Sequence, residues 1–389
     1  MILGQIAYMD IVVFLIFLTP QLIIHAGLWE TAKVGIQALP FLLGRLPYQF
    51  IKEQFFTSRH ERTPFVQRAS LFQDFVIRCV RYAFAKMPSS IGKVFFSKGV
   101  ALPFLRFRML RHGYLKYPIH WQEIIQDEFQ GLWFIADNRQ RPDIIVYYCH
   151  GGGFSMGSSY FYMEFLFALV ALLKDSGYRN PALFALEYTL VPDAVYPTQL
   201  HETIAGYDYV TSIIKDPSRI CVGGDSAGAT LILSMLLWIS DQPDYRERLP
   251  GLATMISPWA MIISDKNRNT PSDYLSSDSL KLYGSQYVGP SASPNDPLVS
   301  PGKCKDLRKW ARASPSGGWF FLFGSEEVLG PETRDLIAIC QMTGAHVDVH
   351  EEQGSIHAWP VATLFLSNTG EARTSGLRSI VKHIRRRMG

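Results

Sequence analysis

From Asp143 onward the chain alternates two hydrophobic rhythms. Short apolar runs, rich in β-branched and aromatic residues, suit buried strands. Each is followed by a longer stretch whose apolar positions recur every three or four residues, as on one face of a helix. Asp143–Cys149 leads to a helical pattern at Tyr160–Lys174, Ala182–Leu190 to Thr198–Ile214, and Ile220–Gly224 to Ala227–Ser240. Leu252–Ser257 leads into a polar, aromatic stretch over 260–300. Trp319–Phe323 precedes Glu332–Met342, and His346–His350 precedes a final helix near Leu377–Arg387. This alternation predicts βαβ crossovers and a mostly parallel sheet with helices on both faces. The stretch 260–300 is long for a connector and is expected to form part of a cap.

The N-terminal part follows another pattern. Ile11–Trp29 (IVVFLIFLTPQLIIHAGLW) is nineteen residues without Asp, Glu, Lys or Arg. That length just reaches across a bilayer core, although Pro20, Gln21 and His25 weaken it. Asp10 and the lack of Lys or Arg ahead of it argue against a secretory signal. Two readings follow: a spanning or embedded anchor, or an apolar helix packed on the main domain or lying in the interface. The expected partner is a membrane, with the endoplasmic reticulum as the expected location. Lys33, Arg45 and Lys52 would place the main domain on the cytoplasmic side. The expected organisation is an anchor or apolar helix over 1–30, a basic helical region over 31–115 and an α/β domain over 116–389.

Charge sharpens this division. The net charge is +4, yet residues 30–112 carry fourteen Lys and Arg against four Asp and Glu. A basic N-terminal third and a mildly acidic remainder argue against a nucleic-acid enzyme and for a basic segment near an anionic surface. The five cysteines include no C-x-x-C pair, so neither a zinc site nor a disulfide framework is indicated. No H-E-x-x-H or comparable ligand cluster appears, and no G-x-G-x-x-G with a downstream acid. Neither metal nor cofactor is expected.

Two glycine-rich segments carry the candidate chemistry. Cys221–Thr230 (CVGGDSAGAT) contains Gly224-Asp225-Ser226-Ala227-Gly228 between a strand and an apolar helix. A G-x-S-x-G sequence in that context makes a sharp elbow that projects a nucleophilic serine. A serine needs a base held by an acid, and in this elbow arrangement they follow in the order acid, histidine. Four histidines come after Ser226: His346, which opens the predicted strand His346–His350, then His350, His357 and His383. His350 ends a predicted strand and His383 lies in the basic last helix. His357, in GSIHAWP, occupies a loop between the last strand and helix, where the base belongs. Glu326 and Glu327 both follow Trp319–Phe323 and are candidates for the acid. The second segment, His150-Gly151-Gly152-Gly153, directly follows a strand. Bare backbone there offers the N–H groups of Gly152 and Gly153, together with that of Ala227, to a developing oxyanion.

These residues resemble the hormone-sensitive-lipase-like α/β-hydrolases, which include arylacetamide deacetylases and fungal steryl acetyl hydrolases. HGGGF and GDSAG carry the resemblance, with support from EYTLVPDAVYPTQL (Glu187–Leu200) and NDPLVSP (Asn295–Pro301). It covers about residues 140–370 and implies an α/β-hydrolase fold with a helical cap. The family's acid falls in a G-x-x-Asp-Pro-Leu pattern. Here Gly324-Ser325-Glu326-Glu327-Val328-Leu329 stands in its place, which points to Glu327 with Glu for Asp. Thr189 replaces the family's arginine. The implied activity is hydrolysis of a small acyl ester, such as an acetate, of an apolar alcohol through an acyl-enzyme. The same residues would serve an amidase, lactonase or cyclase. A non-catalytic ligand-binding relative would be expected to lose Ser226 or His357.

Overall fold

The structure, a computed structural model, describes the backbone of residues 1–389 and every side chain except that of Arg246. Helices α1 (Tyr8–Ala26), α2 (Leu28–Pro40), α3 (Leu46–Ile51), α4 (Pro64–Arg68), α5 (Leu71–Lys86), α6 (Ser89–Phe95) and α7 (Lys98–Arg111) come first. The hairpin β1 (His120–Ile125) and β2 (Gln130–Ile135) follows, then β3 (Ile144–Cys149), α8 (Met163–Asp175), β4 (Pro181–Leu186) and α9 (Thr198–Ile214). Next come β5 (Ile220–Asp225), α10 (Ala227–Asp241), β6 (Leu252–Ile256), α11 (Ser277–Val288) and α12 (Leu307–Ala313). The chain closes with β7 (Trp319–Gly324), α13 (Gly330–Met342), β8 (Val347–Glu352), α14 (Trp359–Leu366) and α15 (Gly370–Met388).

The strands form one sheet in the order β1-β2-β4-β3-β5-β6-β7-β8. β1–β2 and β2–β4 are antiparallel, and the other pairs are parallel. Successive side chains on a strand point to opposite faces, and both faces are covered. Ile145, Tyr147 and Cys149 of β3 therefore join the core under α9, α10 and α13. Ile144, Val146 and Tyr148 join the core under α8 and α15. The parallel arrangement predicted from the alternating runs is thus observed. The β1–β2 hairpin was not foreseen: β1 (HWQEII) is an edge strand, half polar and half-exposed, so no apolar run announces it.

The order reverses at β3: the chain steps outward to β4 and returns to β5 on the other side. Such a switch point opens a crevice at the carboxyl ends of the neighbouring strands. The register lines those ends up, with Cys149 beside Gly224, Asp225 beside Ile256 and Gly324 beside Glu352.

The N-terminal helix starts three residues before the apolar run and breaks earlier than it does. Gly27, at φ 82°, separates α1 from α2, and Asp10 lies inside α1. Asp10 is fully buried, 3.1 Å from Arg108 and 3.0 Å from Arg111, and Arg108 is 2.9 Å from Glu164 of α8. Buried charges persist only when paired in this way. On the same face Phe14 and Leu18 pack on Val94, Val100 and Phe104.

Candidate active site

Ser226 sits between β5 and α10 at φ 53° and ψ −119°, a region that costs a non-glycine residue about 1–3 kcal/mol. The surroundings hold it there. Its N–H donates to the Ile256 carbonyl at 3.0 Å, and its carbonyl accepts the Trp259 N–H at 3.2 Å. The flanking glycines are sterically required, because a Cβ at Gly224 would lie 2.7 Å, and one at Gly228 2.1 Å, from the Cys149 carbonyl oxygen. The turn places Ser226 at the N-terminus of α10, whose dipole favours negative charge.

Ser226, Ser257, Glu327 and His357 follow β5, β6, β7 and β8, and so line one edge of the sheet. Glu327 is buried, and one of its oxygens accepts the Gly324 N–H at 2.6 Å and the Ser257 hydroxyl at 2.5 Å. Its other oxygen is 3.2 Å from His357 Nδ1. A carboxylate only accepts, so Nδ1 carries the proton and Nε2 is left as the basic nitrogen. Burial pulls the His357 pKa down. The hydrogen bond and charge of Glu327, followed by the charges of Asp273 and Asp225, outweigh it and raise the value above 6.5. Among the described residues Ser226 Oγ makes no hydrogen bond, to His357 or elsewhere. Such contacts are often loose before a substrate closes the site.

Glu326 is placed differently. Its carboxylate accepts the hydroxyls of Ser272 (3.3 Å) and Ser325 (3.1 Å). His350 pairs with Glu352 on β8, and His383 stacks on Phe320 with ring centroids 3.6 Å apart; neither joins the cluster.

Asp273, which sequence reasoning missed, does join it. It is fully buried; Oδ1 accepts the backbone N–H of His357 at 3.0 Å and of Tyr274 at 2.8 Å, and Oδ2 accepts that of Val328 at 2.9 Å. Burial pushes its carboxyl up and His357 pulls it back, the net direction being upward. Nothing in the PSDYL sequence around Asp273 marks it, because its bonds go to backbone groups of remote residues.

The glycine loop is held by Asp225. Its Oδ1 accepts the Tyr148 hydroxyl at 2.8 Å and the Gly151 N–H at 2.9 Å, and its Oδ2 accepts the Tyr162 hydroxyl at 2.6 Å. A Cβ at Gly151 would lie 2.2 Å from Asp225 Oδ2. Gly152 and Gly153 take φ of 122° and 61°. Among the described residues the N–H groups of Gly152, Gly153 and Ala227 donate to nothing. His150 is buried, with Nδ1 2.7 Å from the Gly151 carbonyl and its ring stacked on Tyr188 at 4.4 Å. Burial lowers its pKa to about 4, which keeps it neutral. It shapes the loop and lies apart from the Glu327–His357 pair.

Aromatic side chains pack around the site. Phe154 stacks on Tyr287 at 3.7 Å and lies 5.8 Å from Trp259, and Tyr283 stands over Gly153. Phe84 of α5 packs on Tyr274 at 5.2 Å, and Tyr274 meets His357 edge-on at 5.8 Å. Thr189 bonds to Glu202 through both its N–H and its hydroxyl, fixing the turn after β4. Among the described residues no group of three or more His, Cys, Asp or Glu is placed to hold a metal.

A mostly parallel eight-stranded sheet with a serine elbow after its central strand and a glycine loop beside it defines an α/β hydrolase. A family model described as alpha/beta hydrolase fold matches residues 146–361, more than half of the sequence, and the chain belongs to that family. An acetyl-hydrolase of Streptomyces hygroscopicus is 28% identical over 218 residues, 54% of this chain and 67% of its own. A Schizosaccharomyces pombe protein named as a candidate steryl acetyl hydrolase, mug81, is 27% identical over 256 residues, 62% of this chain and 67% of its own. The crystal structure of an esterase from the bacterial hormone-sensitive lipase family superposes with a TM-score of 0.63 at 21% identity, covering 82% of this chain and 99% of that one. At that identity the likeness is one of fold. The resemblance read from HGGGF and GDSAG is borne out.

Proposed function

We propose that this chain is a serine esterase that removes a small acyl group, acetyl foremost, from an apolar alcohol. The observation that carries the reading is the buried Glu327–His357 pair at 3.2 Å, set along the sheet edge from the strained elbow of Ser226. In this reading Ser226 Oγ attacks the ester carbonyl while His357 Nε2 takes its proton. Charge that develops on the carbonyl oxygen is met by the N–H groups of Ala227, Gly152 and Gly153, which are held in place beforehand. His357 then returns the proton to the leaving alcohol. Water, activated by the same imidazole, cleaves the acyl-serine and restores Ser226.

The substrate class is supported by the neighbouring side chains and by the relatives. Phe154, Trp259, Tyr283 and Phe84 make the surroundings of the site apolar and aromatic, which suits an apolar alcohol. The two relatives above are named for acetyl hydrolysis. We assign α5 and the stretch 260–300 to a cap, since Phe84, Tyr274 and Tyr283 roof the site together. The test is a comparison of an acetate, a long-chain ester and an acetamide on one apolar aryl group, using the purified full chain. The acetate should turn over fastest, and Ser226→Ala should abolish the turnover. Faster cleavage of the amide or the long-chain ester would contradict the assignment.

A further inference from the structure

Among the described residues, most of the large apolar side chains left exposed lie before residue 72. All but Leu71, at the start of α5, sit on α1, α2, α3 and the wide helical turns Phe41–Arg45 and Lys52–Phe56. Trp29, Leu43 and Phe56 are 77%, 76% and 82% exposed. A soluble monomer rarely leaves so much contiguous apolar surface uncovered.

The helix α1 is long and apolar enough to cross a bilayer, yet it is fastened along one side. Met1 and Leu3 are buried in the hydrolase core, and the Ile6 N–H donates to the Phe365 carbonyl at 2.9 Å. Asp10 is locked to Arg108. Phe14 and Leu18 pack on α6 and α7, and further along Gln21 lies against Gly99. Crossing a bilayer would strip this face and take the Asp10 carboxylate away from Arg108 and Arg111. The opposite face, with Val12, Leu15, Ile16 and Ile23, is the exposed one.

Charge indicates what covers this face. Arg45, Lys52, Arg59 and Lys86 are exposed and make no ion pair among the described residues. Nearby Glu30, Glu53 and Asp74 are already paired with Lys33 and Arg78. Arg45 and Lys86 also line a cavity of about 620 Å³ between α2 and α5, beside Val34, Pro40 and Phe41. A second copy docked across a two-fold axis would set these four cations against each other, with Glu61 the one nearby carboxylate left unpaired among the described residues to answer them. Apolar side chains rimmed by unpaired cations match the acyl chains and headgroups of an anionic phospholipid surface.

We propose that α1–α3 and their adjoining turns form a docking face that lies in the plane of an anionic phospholipid bilayer, with α1 held on the hydrolase domain and not crossing the membrane. The proposal concerns attachment alone and stands whether or not Ser226 is the nucleophile. Flotation of the purified full chain with phosphatidylcholine vesicles, with and without phosphatidylserine, tests it. Binding should require the anionic lipid and be lost on alkaline washing. It should fall about fivefold for each of Arg45→Ser and Lys52→Ser, and collapse in the double variant Leu43→Glu, Phe56→Glu. Leu307→Glu, an exposed apolar position elsewhere, should change nothing. Bromine-labelled lipid should quench Trp29 in the unaltered chain and lose that effect in Trp29→Phe, a readout that needs no added charge. Retention of the protein after alkaline washing, absence of binding and quenching, or a lipid-free dimer broken by Leu43→Glu that ignores vesicles would each overturn the proposal.

Discussion

The carboxylate of Asp273 accepts the backbone N–H of His357 at 3.0 Å, while Glu327 accepts from the imidazole of the same residue at 3.2 Å. One carboxylate fixes where the residue stands and the other fixes which nitrogen is free. Asp273→Ala leaves the N–H groups of His357 and Val328 buried without acceptors, at a cost of about 1–3 kcal/mol each. The expected result is a lower melting temperature and a fall in kcat, with Asp273→Asn retaining more of both, because its one carbonyl oxygen still accepts. Thermal unfolding and ester turnover on the same preparations check this. Unchanged kcat in folded Asp273→Ala would show that the loop needs no such support.

Glu327→Gln should lower kcat by roughly a thousandfold or more, since an amide no longer fixes the imidazole tautomer. Glu326→Gln should stay within about threefold, because Glu326 touches only the hydroxyls of Ser272 and Ser325. Steady-state kinetics of the two variants separate the adjacent glutamates.

The pH profile has a definite sign. Catalysis needs neutral His357, whose pKa is raised above 6.5 despite burial by Glu327, Asp273 and Asp225. The acid limb of kcat/KM is therefore expected above pH 6.5 and should move to lower pH in Asp273→Asn, which removes one of those charges. For stability, a raised folded-state value means that the His357–Glu327 attraction contributes fully below the unfolded histidine pKa. It is lost as pH rises through the folded one. Profiles of activity and unfolding against pH check both directions.

Gly151→Ala would drive a Cβ to 2.2 Å from Asp225 Oδ2, so the loop must shift away from the N–H positions it presents. Loss of one oxyanion donor typically costs about 10²–10³ in kcat, and a loss of that size is expected with folding retained. Tyr162→Phe removes one of three bonds to Asp225 and should act in the same direction, more weakly. Near-normal kcat in Gly151→Ala would separate the loop from the chemistry.

Much of the fold was legible because β3–β7 are covered on both faces and therefore read as continuous apolar runs between amphipathic helices. The β1–β2 hairpin was not, since a half-exposed edge strand such as HWQEII is half polar and carries no sustained apolar run. The motif residues around Ser226 and His150 could be read from local glycine spacing, which serves a local turn. Asp273 could not, because its partners are the backbone groups of Val328 and His357, 55 and 84 residues away. The start of α1 was obscured for a related reason: Asp10 looks like the end of an apolar segment until Arg108, 98 residues on, is seen to neutralise it inside the core.

The central claim is that Ser226 is an activated nucleophile. Intact-protein and peptide mass spectrometry after treatment with a fluorophosphonate measures this directly. The account predicts a single phosphonyl adduct on Ser226, formed far more slowly in Glu327→Gln and absent in Ser226→Ala. A folded, ester-cleaving chain that carries no adduct at Ser226, or carries it at another serine, would contradict it.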